Sequence, residues 1–267
     1  MSRNIRARVR DQPVEHARPS WLLTAAMLSA LLLPQTVSAS VIIGLQGAEA
    51  LLIAGDSRTS VMSADGILKT RDDTCKVHVV GGAVFGMAGF ARDLATGFRF
   101  ETVVIDVLRR GPTIETAAHA IVNELEPRVL ALLRHLEHTA PKSFAREMSK
   151  KAVVDVILGF RQAGGSAMVR ILLKPVGGGT LSISSEIRHP CPPPCKTGYL
   201  FAAGLTDEDL DKTPPSQAAP TDAPAYARAL INSKMADPLV GGPIDMVQLD
   251  RNGPMWLARK LHCPDRQ

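Results

Sequence analysis

The segment TVSASVIIGL places a serine, Ser40, between a run of small residues and an apolar run typical of a β-strand. A chain cut before Ser40 would begin with a residue that carries both a hydroxyl and a free α-amine. Because an α-amine has an ordinary pKa of about 7.7–8.0, it can be neutral near working pH and accept the hydroxyl proton. A terminal serine can therefore supply the nucleophile and the general base for acyl transfer.

A site of this kind also needs a cation beside the amine, a carboxylate that orients the cation, and backbone donors for the oxyanion. Asp56 ends the second apolar run of the chain, Lys76 begins the third, and Gly89 closes the segment FGMAG. We expect a helix to begin at Gly89, so that its N–H lies where a helix N-terminus favours negative charge. The three residues and Ser40 together predict acyl-transfer chemistry.

Residues 1–39 have the parts of a cleavable secretory signal. A basic start precedes the apolar run Trp21–Leu33, which is too short to span a bilayer comfortably, and Val37-Ser38-Ala39 is a small-residue cleavage sequence. A membrane anchor or a misassigned start codon is the alternative. We therefore predict a signal peptide over 1–39, one domain over 40–267, and a periplasmic or secreted protein with no membrane association after cleavage.

The charge of the chain gives no indication of nucleic-acid binding. The formal net charge of +5 falls to +2 once the leader, with its five arginines and two acidic residues, is removed. The remaining sequence has no block of interleaved basic and aromatic residues. Nucleic-acid binding is therefore not expected.

Four cysteines are compatible with disulfides in an exported protein. Three prolines in polyproline II would separate Cys191 and Cys195 by roughly 12 Å, whereas a disulfide tolerates about 4.4–6.8 Å between Cα atoms. That pair can close only through a turn or a cis-proline, so Cys75 and Cys263 remain possible partners. The pairing stays open, and no histidine stands at metal-ligand spacing nearby. No metal or cofactor is expected.

The apolar pattern predicts strands first and helices next. Two hairpins of buried strands, Ser40–Leu45 with Ala50–Arg58 and Lys76–Val80 with Ala83–Gly89, flank a polar stretch over Thr59–Thr74. A helix that Gly111-Pro112 stops comes next, followed by a helix from Thr113 with a kink or break at Pro127 and a polar connection over 138–151 with room for a short helix. Strands from Ala152, a helix over Ala225–Met235 and a last hairpin complete the chain. This order indicates two sheets with helices outside.

Several motifs make the sequence similar to the proteasome β-subunit family of N-terminal nucleophile hydrolases. The resemblance is strong in SVIIGLQGAEALLIAGDSR and continues through KVHVV, FGMAGFARD and MADPLVGGPIDMVQL, in the order of the family and across most of residues 40–260. The matching positions are Ser40, Gly44, Asp56, Arg58, Lys76, Gly89, Asp93, Asp237, Gly241 and Gly242.

The resemblance implies an α+β fold, a four-layer αββα sandwich, and a role for each matching residue. Ser40 resembles the nucleophile, Asp56 and Lys76 the charged pair, Gly89 the oxyanion donor and Asp237 the supporting aspartate near the terminal amine. The implied activity is amide-bond hydrolysis with peptides as substrate, and the family also implies a possible homo-oligomer.

Three departures from the family pattern leave alternatives open. Four extra residues between Arg58 and Lys76 make Lys69 a rival for the lysine role. Ala203 and Val240 stand where the family commonly has supporting serines. The missing hydroxyls make a catalytically inactive binding or ring-forming module one alternative to a peptidase. Because a terminal serine also serves in acylases, a small-amide acylase is the other.

Overall fold

A computed structural model describes ten segments of the chain. They are residues 36–39, 41–47, 49–63, 66–93, 96–162, 165–177, 180–189, 199–204, 222–261 and 263. For 36–39, 61–68 and 199 the description covers the backbone alone. All of these residues belong to one compact unit, Pro34–Gln267.

The described chain is an α+β structure of antiparallel strands and four helices. The strands are β1 Thr36–Ala39, β2 Ile42–Gln46, β3 Leu51–Gly55, β4 Thr59–Ser63, β5 Gly66–Arg71, β6 Val77–Val80, β7 Ala83–Asp93, β8 Val154–Gln162, β9 Gly165–Val176, β10 Ser182–Arg188, β11 Tyr199–Ala203, β12 Asp245–Asp250 and β13 Gly253–Ala258. The helices are α1 Phe100–Arg109, α2 Ile114–Thr139, α3 Pro141–Met148 and α4 Ala223–Asn232.

The described strands form two sheets. The larger sheet runs in the order β10-β9-β8-β7-β1-β4-β5, with β6 paired to β7, and the smaller sheet runs β11-β2-β3-β12-β13. Every pairing in both sheets is antiparallel. The two predicted hairpins are confirmed as β2–β3 and β6–β7, and they lie in different sheets.

Three clusters of buried apolar side chains hold the elements together. The first joins α1 and α2 to β7, β8 and β9, and the third joins α4 to β2, β3 and β12. The second consists of residues from both sheets, among them Ile53 of β3 and Ile157 of β8. Because successive side chains of a strand point to opposite faces, β7 and β8 contribute to the first cluster and to the second.

The helix predicted to begin at Gly89 is wrong, and at two other places the structure adds to what the sequence indicated; tertiary packing explains each difference. β7 runs on to Asp93 and α1 begins only at Phe100, because the far end of β7 is paired with β1. The polar stretch Thr59–Thr74 contains the hairpin β4–β5. Helix α2 continues through Pro127, so the break that was one of the two expectations there does not occur. Buried leucine and valine side chains on either side of the proline keep the helix packed on the sheet.

Candidate active site

Asp56 is the centre of the candidate site. It follows β3 directly and is fully buried. Its Oδ1 accepts hydrogen bonds from the Lys76 Nζ at 2.7 Å and the Val41 N–H at 3.0 Å. Its Oδ2 accepts hydrogen bonds from the N–H groups of Arg58 and Gly241, both at 3.1 Å. With four donors from four segments of the chain, this carboxylate is held in one orientation.

Lys76 is the cation of the pair. It lies directly before β6, and its side chain is 2% exposed. Burial lowers its pKa from 10.5 to about 8, although the carboxylate of Asp56 opposes the change, and the cation of Lys260 lowers the pKa further. The rival lysine, Lys69, lies exposed on the hairpin strand β5. The lysine that contacts Asp56 is therefore Lys76, and it can exchange a proton near neutral pH.

Gly89 lies within β7 and not at a helix N-terminus, which corrects the expectation from the sequence. Its φ is +87°, a conformation that side chains rarely adopt. A Cβ at this position would lie 2.1 Å from the carbonyl oxygen of Val153. Only glycine fits here, and Gly89 lies opposite Ala39 of β1 in the sheet, away from any helix N-terminus.

The strand β1 lies between β7 and β4. Ala39 is opposite Gly89 on one side and opposite Thr59 on the other, and Thr36 is opposite Asp93 and Met62. Because neighbouring strands lie about 4.8 Å apart, β4 and β7 are separated by roughly 10 Å across β1. The residues just before Ser40 thus occupy a slot that is one strand wide.

Ser40 itself lies outside the described residues. Its two neighbours in the chain are described: Ala39 is paired with Gly89, and the N–H of Val41 is bound to Asp56. The structure therefore brings the flanks of Ser40 to the predicted oxyanion glycine on one side and to the predicted ion pair on the other.

The segment that follows α4 contacts the site through its backbone. The carboxylate of Asp237 accepts a hydrogen bond from the Leu239 N–H at 2.8 Å, so its described role is to shape this segment. The group of this segment that contacts Asp56 is the N–H of Gly241, which donates to its carboxylate. Arg58 binds the carbonyl of Val240 at 3.2 Å and forms two hydrogen bonds with Asp72, at 2.6 and 2.7 Å.

The two positions that lack the expected hydroxyls are apolar and buried. Ala203 ends β11 and is paired with Ile42, and its side chain belongs to the cluster between the sheets. Val240 belongs to the cluster beneath α4. Neither side chain can donate or accept a hydrogen bond near Asp56.

A second buried ion pair, which sequence reasoning missed, lies next to the first. Asp245 is the first residue of β12 and is fully buried. Its carboxylate accepts hydrogen bonds from the backbone N–H of Lys260, at 3.0 Å, and from the Lys260 Nζ. The Lys260 Nζ also donates to the Thr74 carbonyl at 2.8 Å and to the Ser57 Oγ at 2.5 Å. An acidic residue at the start of an apolar strand, Asp245 in PIDMVQL, was the available signal.

A disulfide joins Cys75, the residue before Lys76, to Cys263, with a Cα–Cα distance of 5.6 Å. This pairing is one that the sequence left open. Cys191 and Cys195 lie outside the described residues.

No model of a known protein family matches this chain, and no curated protein sequence matches it. Across the described segments, the helices include none that is long and apolar enough to cross a membrane. The same segments contain no group of three or more histidine, cysteine or acidic side chains arranged to hold a metal ion.

Proposed function

We propose that the protein is an exported amide-bond hydrolase whose nucleophile is Ser40, exposed as the first residue by cleavage after Ala39. The observation that carries the proposal is the position of the two residues that flank Ser40. Val41 donates to Asp56, which holds Lys76, and Ala39 lies opposite Gly89. A serine between these neighbours would have the ion pair and the oxyanion donor within reach.

In the proposed reaction, the Ser40 Oγ attacks the amide carbonyl while its proton passes to the α-amine through a water molecule. The Gly89 N–H stabilises the oxyanion, and the Lys76 cation, oriented by Asp56, favours the reactive state of the terminal residue. The carbon–nitrogen bond then breaks, the product amine leaves with a proton, and the acyl group remains on Oγ as an ester. Water hydrolyses the ester and restores the hydroxyl.

Peptides are the substrates that the slot favours. After cleavage and departure of β1, the facing edges of β4 and β7 would offer backbone donors and acceptors to an extended chain about one strand wide. A small amide has too few backbone groups to pair with both edges. The slot therefore favours a peptidase over the small-amide acylase that the sequence also allows.

Further observations support the likeness to proteasome β-subunits and a four-layer αββα arrangement. One apolar cluster includes side chains from both sheets, and one helix-bearing cluster belongs to each sheet. The Cys75–Cys263 disulfide is compatible with export. The buried apolar side chains of Ala203 and Val240 favour the alternative, an inactive binding or ring-forming module, because hydrogen-bonding groups are missing there.

The experiment that tests the proposal compares three proteins that differ only at their first residues. A fusion is cleaved to leave Ser40 first, to leave one extra glycine before Ser40, or to leave alanine in place of Ser40. Each product is treated with an electrophilic β-lactone probe, and its first peptide is read by mass spectrometry. We expect the probe on Ser40 only when Ser40 is the first residue, because only then are hydroxyl and amine on one residue.

Two controls complete this experiment. Ser182→Ala, an exposed serine on β10, should leave labelling unchanged. Equal labelling of the glycine-extended protein would exclude the α-amine as base. Absence of labelling on the Ser40-first protein, with its fold intact, would leave the binding-module alternative in place of the hydrolase.

A further inference from the structure

Lys260 connects the two segments that carry the Asp56–Lys76 pair. Its Nζ binds the side chain of Ser57, which directly follows Asp56, at 2.5 Å. It also binds the carbonyl of Thr74, two residues before Lys76, at 2.8 Å. The Ser57 hydroxyl in turn donates to the carbonyl of Pro243. One buried ammonium group thus bridges the chain on both sides of the ion pair.

We propose that Lys260 is a positioning residue for the Asp56–Lys76 pair and that the Cys75–Cys263 disulfide holds it in place. The disulfide joins the residue before Lys76 to the residue three places after Lys260. Inside this closed unit, the Cys263 N–H donates to the Lys260 carbonyl at 3.1 Å and Arg259 binds the Cys263 carbonyl at 2.7 Å. The segment that bears Lys260 is therefore fixed covalently to the segment that bears Lys76.

The distance in sequence explains why a covalent link matters here. Ser57 and Lys260 are 203 residues apart, and β13, the last strand of the described residues, ends at Ala258 before Lys260 is reached. Lys260 is therefore held by contacts outside the strand ladder. Asp245 supplies the counter-charge, and the disulfide supplies the tether that keeps the ammonium group between Thr74 and Ser57.

The charges that face Lys76 come from three directions. Asp56 lies after β3 and Asp72 lies after β5, and both favour the charged form of Lys76. Lys260 lies after β13, and its charge disfavours the charged form of Lys76. Asp245, at the start of β12, is the carboxylate that contacts Lys260. On β6 itself, His78 is buried and stacked on Phe85, with 4.7 Å between ring centroids. The residue at position 40 would add an amine after cleavage.

The test measures the protonation of Lys76 directly in the full chain. Lysine is labelled with 13C at Cε, its resonances are followed against pH, and the Lys76 signal is assigned by its loss in Lys76→Arg. We expect the titration midpoint in Lys260→Met to rise by about 0.5–1 pH unit, because a like charge is removed. Lys260→Arg should restore the wild-type midpoint. Cys75→Ser/Cys263→Ser should raise it, because the tethered cation is released.

Matched variants separate positioning from a loss of folding. Lys142→Met, on the exposed face of α3, should leave the Lys76 midpoint unchanged. Asp245→Asn/Lys260→Gln removes the second pair without leaving a buried charge, and it should still raise the midpoint. An unchanged Lys76 midpoint in folded Lys260→Met or in the double variant would overturn the inference.

The consequence for catalysis rests on the proposed function, but the lysine titration does not. Failure of Ser40 labelling would contradict the hydrolase while leaving the Lys76 measurement intact. Conversely, if Ser40 is labelled but the Lys76 titration midpoint is the same in wild type and in the Lys260 variants, only the positioning role of Lys260 is contradicted.

Discussion

At the scale of single residues, Asp56 is the carboxylate on which the candidate site depends. Asp56→Asn would leave the buried Lys76 cation without the carboxylate that contacts it, since the amide carries no charge. We expect the free energy of unfolding at pH 6 to fall by about 3–5 kcal/mol, with loss of Ser40 labelling. Urea unfolding measures the change. Asp106→Asn, on the exposed side of α1, is the control, and an equal loss in both variants would contradict the role of the buried pair.

The lowered pKa of Lys76 predicts how stability depends on pH. Its folded value of about 8 lies below its ordinary value of 10.5, so the unfolded chain binds more protons between these two pH values. The free energy of unfolding contributed by this group should therefore rise with pH across that window, by about 3 kcal/mol in all. Below pH 8 the cost of the buried charge is fully present.

This dependence is measured as the difference between wild type and Lys76→Met in urea at pH 8, 9 and 10. Burial raises the pKa of Tyr226, but that group titrates in both proteins and its effect cancels in the difference. Parallel stability curves for the two proteins would contradict a depressed lysine pKa.

Gly89 and Gly81 form a natural pair of test positions. Both have positive φ, +87° and +56°, but a Cβ at Gly81 meets open space whereas one at Gly89 meets the Val153 carbonyl at 2.1 Å. Gly81→Ala should cost about 1–2 kcal/mol of unfolding free energy from backbone strain alone. Gly89→Ala should cost about 3 kcal/mol or more beyond that, because β7 must move away from β8. Equal costs in denaturant titrations would mean that the close approach is unimportant.

At the scale of elements, β1 is the strand whose removal should change the sheet. Cleavage after Ala39 and departure of β1 would leave the facing edges of β4 and β7 without a partner. Amide hydrogen exchange should become faster over Thr59–Ser63 and Gly89–Asp93, and a bound extended peptide should slow it again. Amides of β12, which stay paired with β3 and β13, are the internal control. Unchanged exchange in β4 and β7 would show that no slot opens.

At the scale of the whole molecule, the Cys75–Cys263 disulfide closes a loop that contains most of the described chain. The cysteines are 188 residues apart, so the cross-link strongly restricts the unfolded chain. We expect Cys75→Ala/Cys263→Ala to lower the free energy of unfolding by about 2–5 kcal/mol. Urea titration of the variant, and of wild type with and without a reductant, measures this. A variant as stable as the oxidised wild type would contradict a stabilising cross-link.

Local pattern in the sequence determined the elements that contribute the site. The hairpins β2–β3 and β6–β7 follow from short apolar runs and turn residues, and helix α2 begins where Thr113 can cap it, with its hydroxyl accepting the Thr116 N–H. Asp56, which ends one such run, and Lys76, which begins the next, could be named as candidates from their places, and the family resemblance implied that they form a pair. These features depend on residues within a few positions of one another, which is the range that periodicity reports.

Tertiary structure decided the rest, because contacts between distant segments leave no periodic trace. Apolar spacing could not distinguish Lys76 from Lys69, which burial beside Asp56 does. The strands β4 and β5 form because β1 and β7 provide a sheet for polar residues to extend. The positive φ of Gly89 follows from the approach of Val153. The partnership of Lys260 with Ser57 depends on packing between the two ends of the chain, which no local pattern encodes.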